Sequence, residues 1–159
     1  MDMQTRKPPP RLSRLLTFPV GLVPTATHST TVCLALNRIF ATALRDGELE
    51  FLEGRVVRIR VNDLRLRLCF TLERGRLRPA DERRPHDLTI EGDTYDFLLL
   101  ASRREDPDTL FFNRRLRLGG DTELGLYVKN FLDAYEPPER LQPLMGTLER
   151  ASRLFERFA

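Results

Sequence analysis

Between residues 57 and 72 apolar and polar positions alternate almost strictly. Val57, Ile59 and Val61 are separated by Arg58 and Arg60, and Leu64, Leu66, Leu68, Phe70 and Leu72 by Arg65, Arg67, Cys69 and Thr71. Successive side chains of a strand point to opposite faces, so this spacing predicts two half-buried strands. Asn62-Asp63 between them predicts a two-residue hairpin loop. A third strand is expected at 76–79, after the Arg74-Gly75 turn. A fourth is expected at 87–91, with Leu88 and Ile90 on one face. A fifth is expected at 113–118, with Leu116 and Leu118 against Arg115 and Arg117.

Elsewhere the period lengthens to that of a helix. Val32, Leu36, Ile39, Phe40, Ala43 and Leu44 predict a helix over 30–45, capped by Ser29 or Thr30 and stopped by Asp46-Gly47. Residues 48–54 are too few for an element of their own. Asp93 is placed to cap a helix over 94–104, acidic at its start and basic at its end, as the helix dipole favours. Asp106-Pro107 opens a short helix ending near Phe112. Gly119-Gly120-Asp121 leads into a helix reaching residue 135. The last helix, 138–158, carries Leu141, Leu144, Met145, Leu148, Ala151, Phe155 and Phe158 at helical spacing. Runs of neighbouring strands flanked by helices define an α+β domain rather than a doubly wound nucleotide fold. The division expected is an N-terminal arm (1–28), a folded domain (29–136) and a C-terminal amphipathic helix (137–159). Helices must cover the aliphatic sheet face. The opposite face would present Arg58, Arg60, Arg65, Arg67, Arg115 and Arg117 to water or anions.

The arm has its own character. Arg6, Lys7, Arg11 and Arg14 surround Pro8-Pro9-Pro10, and Leu15, Leu16 and Phe18 follow. Arginines beside a short apolar stretch suit a membrane interface, with Arg11, Arg14, Leu15, Leu16 and Phe18 as the contact residues. An arm packed on the domain is the other reading. Apolar runs such as 97–101 fall far short of the ~20 residues that cross a bilayer, and Pro19 breaks the one candidate for a signal segment. The expected location is therefore cytoplasmic, with peripheral contact to an anionic inner-membrane surface. The 159 residues fit one domain, and 41% hydrophobic with 31% charged residues is a folded composition. The net charge of +3 comes from 26 basic against 23 acidic residues. No aromatic residue interleaves with the strand arginines to make a stacking platform, so nucleic acid is not an expected partner.

Catalytic chemistry is hard to assemble. Cys33 and Cys69 are too few for a disulfide framework or a zinc site, and reduced thiols are expected, although one bridge is conceivable. His28 and His86 sit beside loops, outside any metal-ligand or nucleophile spacing. Asp106 and Asp108 are better read as helix caps than as an acid–base pair, and Gly119-Gly120-Asp121 as a turn and cap rather than a phosphate cradle. No catalytic residue, metal or cofactor is expected. What remains is apolar surplus, and periodicity alone favours reading it as solid core.

The segment Asp106-Pro107-Asp108-Thr109-Leu110-Phe111-Phe112-Asn113-Arg114-Arg115-Leu116, continued by Gly120-Asp121-Thr122-Glu123-Leu124-Gly125-Leu126-Tyr127-Val128-Lys129-Asn130, resembles the signature of the UbiT family. These are accessory factors of bacterial ubiquinone biosynthesis built on a sterol-carrier (SCP2) domain. Residues 46–55 resemble a second block of the same family. Arg114-Arg115 replace a Gly-Lys pair common among relatives, which argues against sterol itself as ligand. The resemblance implies a five-stranded mixed sheet, covered on one face by helices and enclosing an apolar tunnel. It implies a non-catalytic part in the oxygen-independent route to ubiquinone, beside the UbiU and UbiV proteins and other proteins of that route. The cargo implied is an isoprenoid quinone intermediate or a phospholipid. On this reading Leu66, Leu68, Phe70, Ile90, Phe97, Phe112, Leu116, Leu118, Leu124, Tyr127, Val128 and Phe131 are expected to line the lipid-binding site. The rival expectation is a scaffold with a solid core that assembles ubiquinone-biosynthesis proteins.

Overall fold

Strand β1, Val56–Val61, is the axis of the molecule. In the computed structural model, which describes residues 25–158, it lies at the centre of a five-stranded sheet ordered β3-β2-β1-β4-β5. The other strands are β2 (Leu66–Glu73), β3 (Arg76–Pro79), β4 (Leu88–Gly92) and β5 (Arg117–Gly120). The helices are α1 (Thr25–Ile39), α2 (Ala41–Arg45), α3 (Thr94–Ala101), α4 (Pro107–Phe112), α5 (Thr122–Ala134) and α6 (Gln142–Phe158), with 3-10 turns at Glu50–Leu52 and Glu139–Leu141. Only β1 and β4 pair in parallel; the remaining neighbours are antiparallel. The α+β class and the mixed sheet agree with the sequence reading.

Register does the sorting. Val57 stands opposite Phe70 and Leu88, Ile59 opposite Leu68 and Ile90, and Leu118 opposite Ile90. Partners directly opposite share a face. One face is therefore a continuous aliphatic surface, closed over by α1, the Glu50–Leu52 turn and α5 in the main apolar cluster. A second cluster of Tyr95, Leu99, Leu110 and Leu116 joins α3, α4 and the approach to β5, with Phe155 of α6 packed on it.

Several boundaries differ from expectation, each for a local reason. Among the described residues the first helix spans Thr25–Ile39 and breaks at Phe40. Ser29 is not its cap: it is buried inside the helix, and its Oγ accepts the Cys69 N–H at 3.2 Å. Cys69 turns its carbonyl toward Ala80, where edge strand β3 has run out at Pro79, so its N–H needs a partner from outside the ladder. The β1–β2 connection uses four residues, because Val61 pairs with Leu66 and Arg65 adopts φ +52°. Asp63 in this loop accepts from the Thr94 N–H and hydroxyl, both at 2.9 Å, and so anchors the start of α3.

The fifth strand begins at Arg117 rather than 113. Arg114 is left-handed (φ +55°), and the N–H groups of Arg115 and Leu116 both donate to the Leu110 carbonyl, closing α4 instead of joining the sheet. Helix α3 stops at Ala101. Arg103 is left-handed (φ +58°) and the Arg104 N–H returns to the Leu99 carbonyl. The arginine face loses Arg65 and Arg115 to these loops. Arg60 and Arg117 both reach Glu91, at 3.4 and 2.8 Å, and Arg58 donates to the Glu82 carbonyl at 3.1 Å.

Candidate functional site

The aliphatic sheet face is not completely filled. A cavity of about 300 Å³ lies on it. Val57, Ile59, Phe70, Leu77 and Ile90 form its floor, one or two from each of four strands. Leu36, Ile39 and Phe40 of the α1 end, Leu49, Phe51 and Leu52 of the following turn, and Val128, Phe131 and Leu132 of α5 form the walls. Phe97, Leu100 and Ala101 of α3 close one side, and Leu141, Leu144, Met145 and Leu148 close the roof. Arg103 is the one charged residue of the lining.

Each wall is positioned by a local device. The α1 break at Phe40 leaves the Ile39 carbonyl without a helical partner, and the Tyr135 hydroxyl donates to it at 2.6 Å. The Phe40 ring then packs edge-on against Phe131 (5.3 Å) and Tyr135 (4.9 Å). Burial pushes the Tyr135 phenol up, opposed by Arg140 and Arg103, so its hydroxyl stays a donor. Asp121 caps α5 by accepting the Leu124 N–H at 3.0 Å and pairs with Arg55. Asp106 caps α4 in the same way through the Thr109 N–H at 2.8 Å. Gly120 permits the β5–α5 corner: at φ +97° a Cβ would stand 2.4 Å from the Asp87 carbonyl oxygen.

Of the residues expected to line the site, Phe70, Ile90, Phe97, Val128 and Phe131 face the cavity. Leu66, Leu68, Leu118 and Leu124 do not line it. Leu68 and Leu124 are buried, and Leu118 packs where a Cβ on Gly125 would stand 3.4 Å away. Leu116 belongs to the second cluster and is fully buried there. Phe112 corrects the reading most sharply, since it is 89% exposed. It ends α4, and the 100° step between helical neighbours turns Phe111 inward and Phe112 outward. Tyr127 is also on the outside, donating to Glu123 at 3.2 Å. Arg11, Arg14, Leu15, Leu16 and Phe18 lie outside the described residues. The sequence reading missed the contributions of 49–52 and of the C-terminal helix. The Leu141, Leu144, Met145, Leu148 stripe was visible but carried no indication of what it covers.

Apart from Arg103 and Tyr135 the cavity lining is apolar, and the thiols and the buried carboxyl lie outside it. Cys33 and Cys69 are free and buried, and burial pushes the Cys33 thiol up to about 11. Burial also raises the Asp96 carboxyl, while Arg115, whose Nε donates to it at 2.7 Å, pulls it back. That pair lies in the second cluster's surroundings, with Arg115 over the Tyr95 ring at 5.4 Å. Among the described residues no group of three or more His, Cys, Asp or Glu is placed to hold a metal ion. No helix among them is long and apolar enough to cross a membrane. A space walled by hydrocarbon offers water too few partners, whereas it gains ~0.8 kcal/mol for each CH₂ group it takes in.

A one-sided sheet and helices around an apolar cavity define a small lipophile-binding type of domain. The model of the SCP-2 sterol transfer family matches residues 36–133, and the chain belongs to that family. Within it the chain groups with the UbiT proteins. It is 47% identical over 122 residues to the ubiquinone biosynthesis accessory factor UbiT of Escherichia coli (strain K12), covering 77% of this chain and 70% of that protein. The same figures hold for UbiT of Escherichia coli O157:H7. Among solved structures, the UbiJ-SCP2 ubiquinone synthesis protein superposes with a TM-score of 0.52 at 18% identity, over 67% of this chain and 96% of that one, which supports the fold.

Proposed function

We propose that this chain is a non-catalytic lipid-binding accessory factor of ubiquinone biosynthesis that shelters the isoprenoid tail of ubiquinone intermediates, or a phospholipid acyl chain, in its apolar cavity. The observation that carries the reading is the 300 Å³ hydrocarbon-lined space in a chain so similar to UbiT. That volume is at the small end of the range of about 300–1,000 Å³ for ligand pockets. It takes a segment of a long tail, and the roof formed by Leu141, Leu144, Met145 and Leu148 is the wall that must move to admit more. Phe70, Ile90, Phe97, Val128 and Phe131 are the proposed tail contacts from the sequence reading, joined by Phe51 and the roof residues.

A polyprenyl tail makes its ring insoluble, so soluble partners can reach that ring only if the tail is shielded. The proposed setting is the oxygen-independent route, beside UbiU and UbiV, in the cytoplasm with peripheral membrane contact through Arg11, Arg14, Leu15, Leu16 and Phe18. Mass spectrometry of lipid extracted from the purified protein tests the reading. A quinone precursor or acyl lipid is expected; none of either, even after loading, would refute it.

One observation favours an additional scaffolding role. Phe112 (89% exposed), Leu126 and Tyr127 are exposed apolar residues on α4 and α5, two helices tied together by the Lys129–Asp108 pair. Phe112→Ser should then weaken co-purification with ubiquinone-biosynthesis proteins while leaving lipid content unchanged.

A further inference from the structure

A second concavity, open and about 1210 Å³, lies on the other side of the α1–α6 wall. Arg38, Arg45, Arg76 and Arg140 line it, and no acidic residue does, although Asp46, Glu48 and Glu139 adjoin it in sequence. All four arginines are exposed, and none is in an ion pair among the described residues. This distinguishes them from Arg60, Arg104, Arg115 and Arg117, each of which has a carboxylate partner. Between the arginines the surface is apolar: Leu34 is 65% exposed and Leu144 40%.

The position matters as much as the charge. Ile39, Leu141 and Leu144 line both this groove and the apolar cavity, so a wall one side chain thick separates the two. Across that wall, Arg140 Nη2 donates to the Arg38 carbonyl at 3.0 Å, fastening the approach to α6 onto α1.

We propose that this groove is a second surface, beside the N-terminal segment, by which the protein docks on an anionic phospholipid bilayer, and that lipid enters through the Ile39–Leu141–Leu144 wall. Unpaired guanidinium groups match headgroup phosphates, which they bind in a bidentate manner. The exposed leucines between them reach toward the acyl region, the pairing expected of an interfacial contact. The shared wall then makes the path from bilayer to cavity short. The entry step rests on the lipid-binding reading above; the docking step stands on the arginines and leucines alone.

The test is flotation of the full-length chain with vesicles of phosphatidylglycerol and phosphatidylcholine, against phosphatidylcholine alone. The groove variant carries Arg38→Glu, Arg45→Glu and Arg76→Glu; Arg140 is left in place because it holds the wall. The control variant carries Arg67→Glu, Arg83→Glu and Arg84→Glu, the same change in net charge on exposed positions away from the groove. All three proteins keep residues 1–24, so any contribution of that segment is common to them. Binding of the parent should require phosphatidylglycerol and weaken as salt rises. The groove variant should bind roughly tenfold or more weakly, since each basic residue at an anionic surface counts separately, while the control keeps most of its binding. Unchanged flotation of the groove variant, or equal loss in both variants, overturns the proposal. Groove-dependent flotation by a protein that takes up no lipid from detergent would uphold the docking surface and sink the cavity reading instead.

Discussion

The molecule contains two apolar clusters made from the same kinds of residue, and one is solid while the other is not. In the cluster of Tyr95, Leu99, Leu110 and Leu116, both Leu110 and Leu116 have 0% exposure, and Tyr95 stacks on Phe155 with ring centroids 5.8 Å apart. In the main cluster a 300 Å³ space remains between sheet and helices. The difference traces to how the layers are held apart. The solid cluster is pulled together by short connections: α4 closes on Leu110, and the part-buried Asp96–Arg115 pair ties α3 to the turn before β5. The hollow cluster spans from the sheet to α6, and bulky rings on Phe40, Phe51, Phe131 and Tyr135 contact one another along its walls. Rings in mutual contact line the walls of the hollow cluster, whereas the solid cluster sets the Tyr95–Phe155 pair among closely packed leucines.

The largest expected effect comes from the solid side. Leu110→Ala or Leu116→Ala should lower unfolding free energy by about 2–5 kcal/mol in urea melts, because both the transfer and the cavity terms apply. Leu52→Ala, a buried leucine of the hollow cluster at the wall of a space already present, should cost clearly less. Equal losses would dissolve the distinction between the clusters.

The second effect concerns binding. Val128→Phe and, independently, Ile59→Phe place extra carbons inside the cavity. Each should reduce retained lipid severalfold while changing stability by no more than about 1–3 kcal/mol, the usual range for inserted bulk. Thermal melts of the two variants show whether the fold survives. A variant that folds and retains parental lipid would place the ligand elsewhere.

A smaller effect depends on pH. The Thr109 hydroxyl and N–H hold Asp106 below the ordinary carboxylate range, and the Leu124 N–H, with Arg55, does the same for Asp121. A depressed folded pKa contributes stability above the unfolded value of about 4 that is lost as pH falls through the folded value. Asp96 has the opposite sign: its raised pKa favours the folded state at low pH, and this preference fades as pH rises from about 4 through the folded value. The stability gap between the parent and Asp121→Ala should therefore narrow as pH falls below about 4, measured by urea melts across that range. The smallest effect is expected of Phe112→Ser, within about 0.5 kcal/mol and without change in lipid content, because its ring touches mostly water.

The alternation over 57–72 made the sheet and its aliphatic face legible, and the capping roles of Asp106 and Asp121 were readable from composition and position. The hollow was not. Val128 and Phe131 face the cavity and Leu124 does not, yet all three fall on one helical stripe, since periodicity records which side is apolar and not how far away the opposite wall stands. Phe112 misled because an aromatic at a helix end before a strand looks buried, whereas the left-handed turn at Arg114 redirects the chain. The block 48–54 looked too short to matter. Its two buried leucines and Phe51 act through a single 3-10 turn fastened to the sheet by the Glu53–Leu72 bridge, a tertiary contact that no local pattern encodes. The four arginines around the second groove are separated by up to 102 positions in the chain, and only folding gathers them.

The central claim is that the unfilled space is there to be filled by a lipid tail. The most direct measurement is lipid per protein, by quantitative mass spectrometry, for the parent and Val128→Phe purified and loaded side by side. An isoprenoid or acyl lipid is expected on the parent, with a severalfold depletion on the folded variant. A parent that carries no lipid after loading, or equal amounts on both proteins, would contradict it.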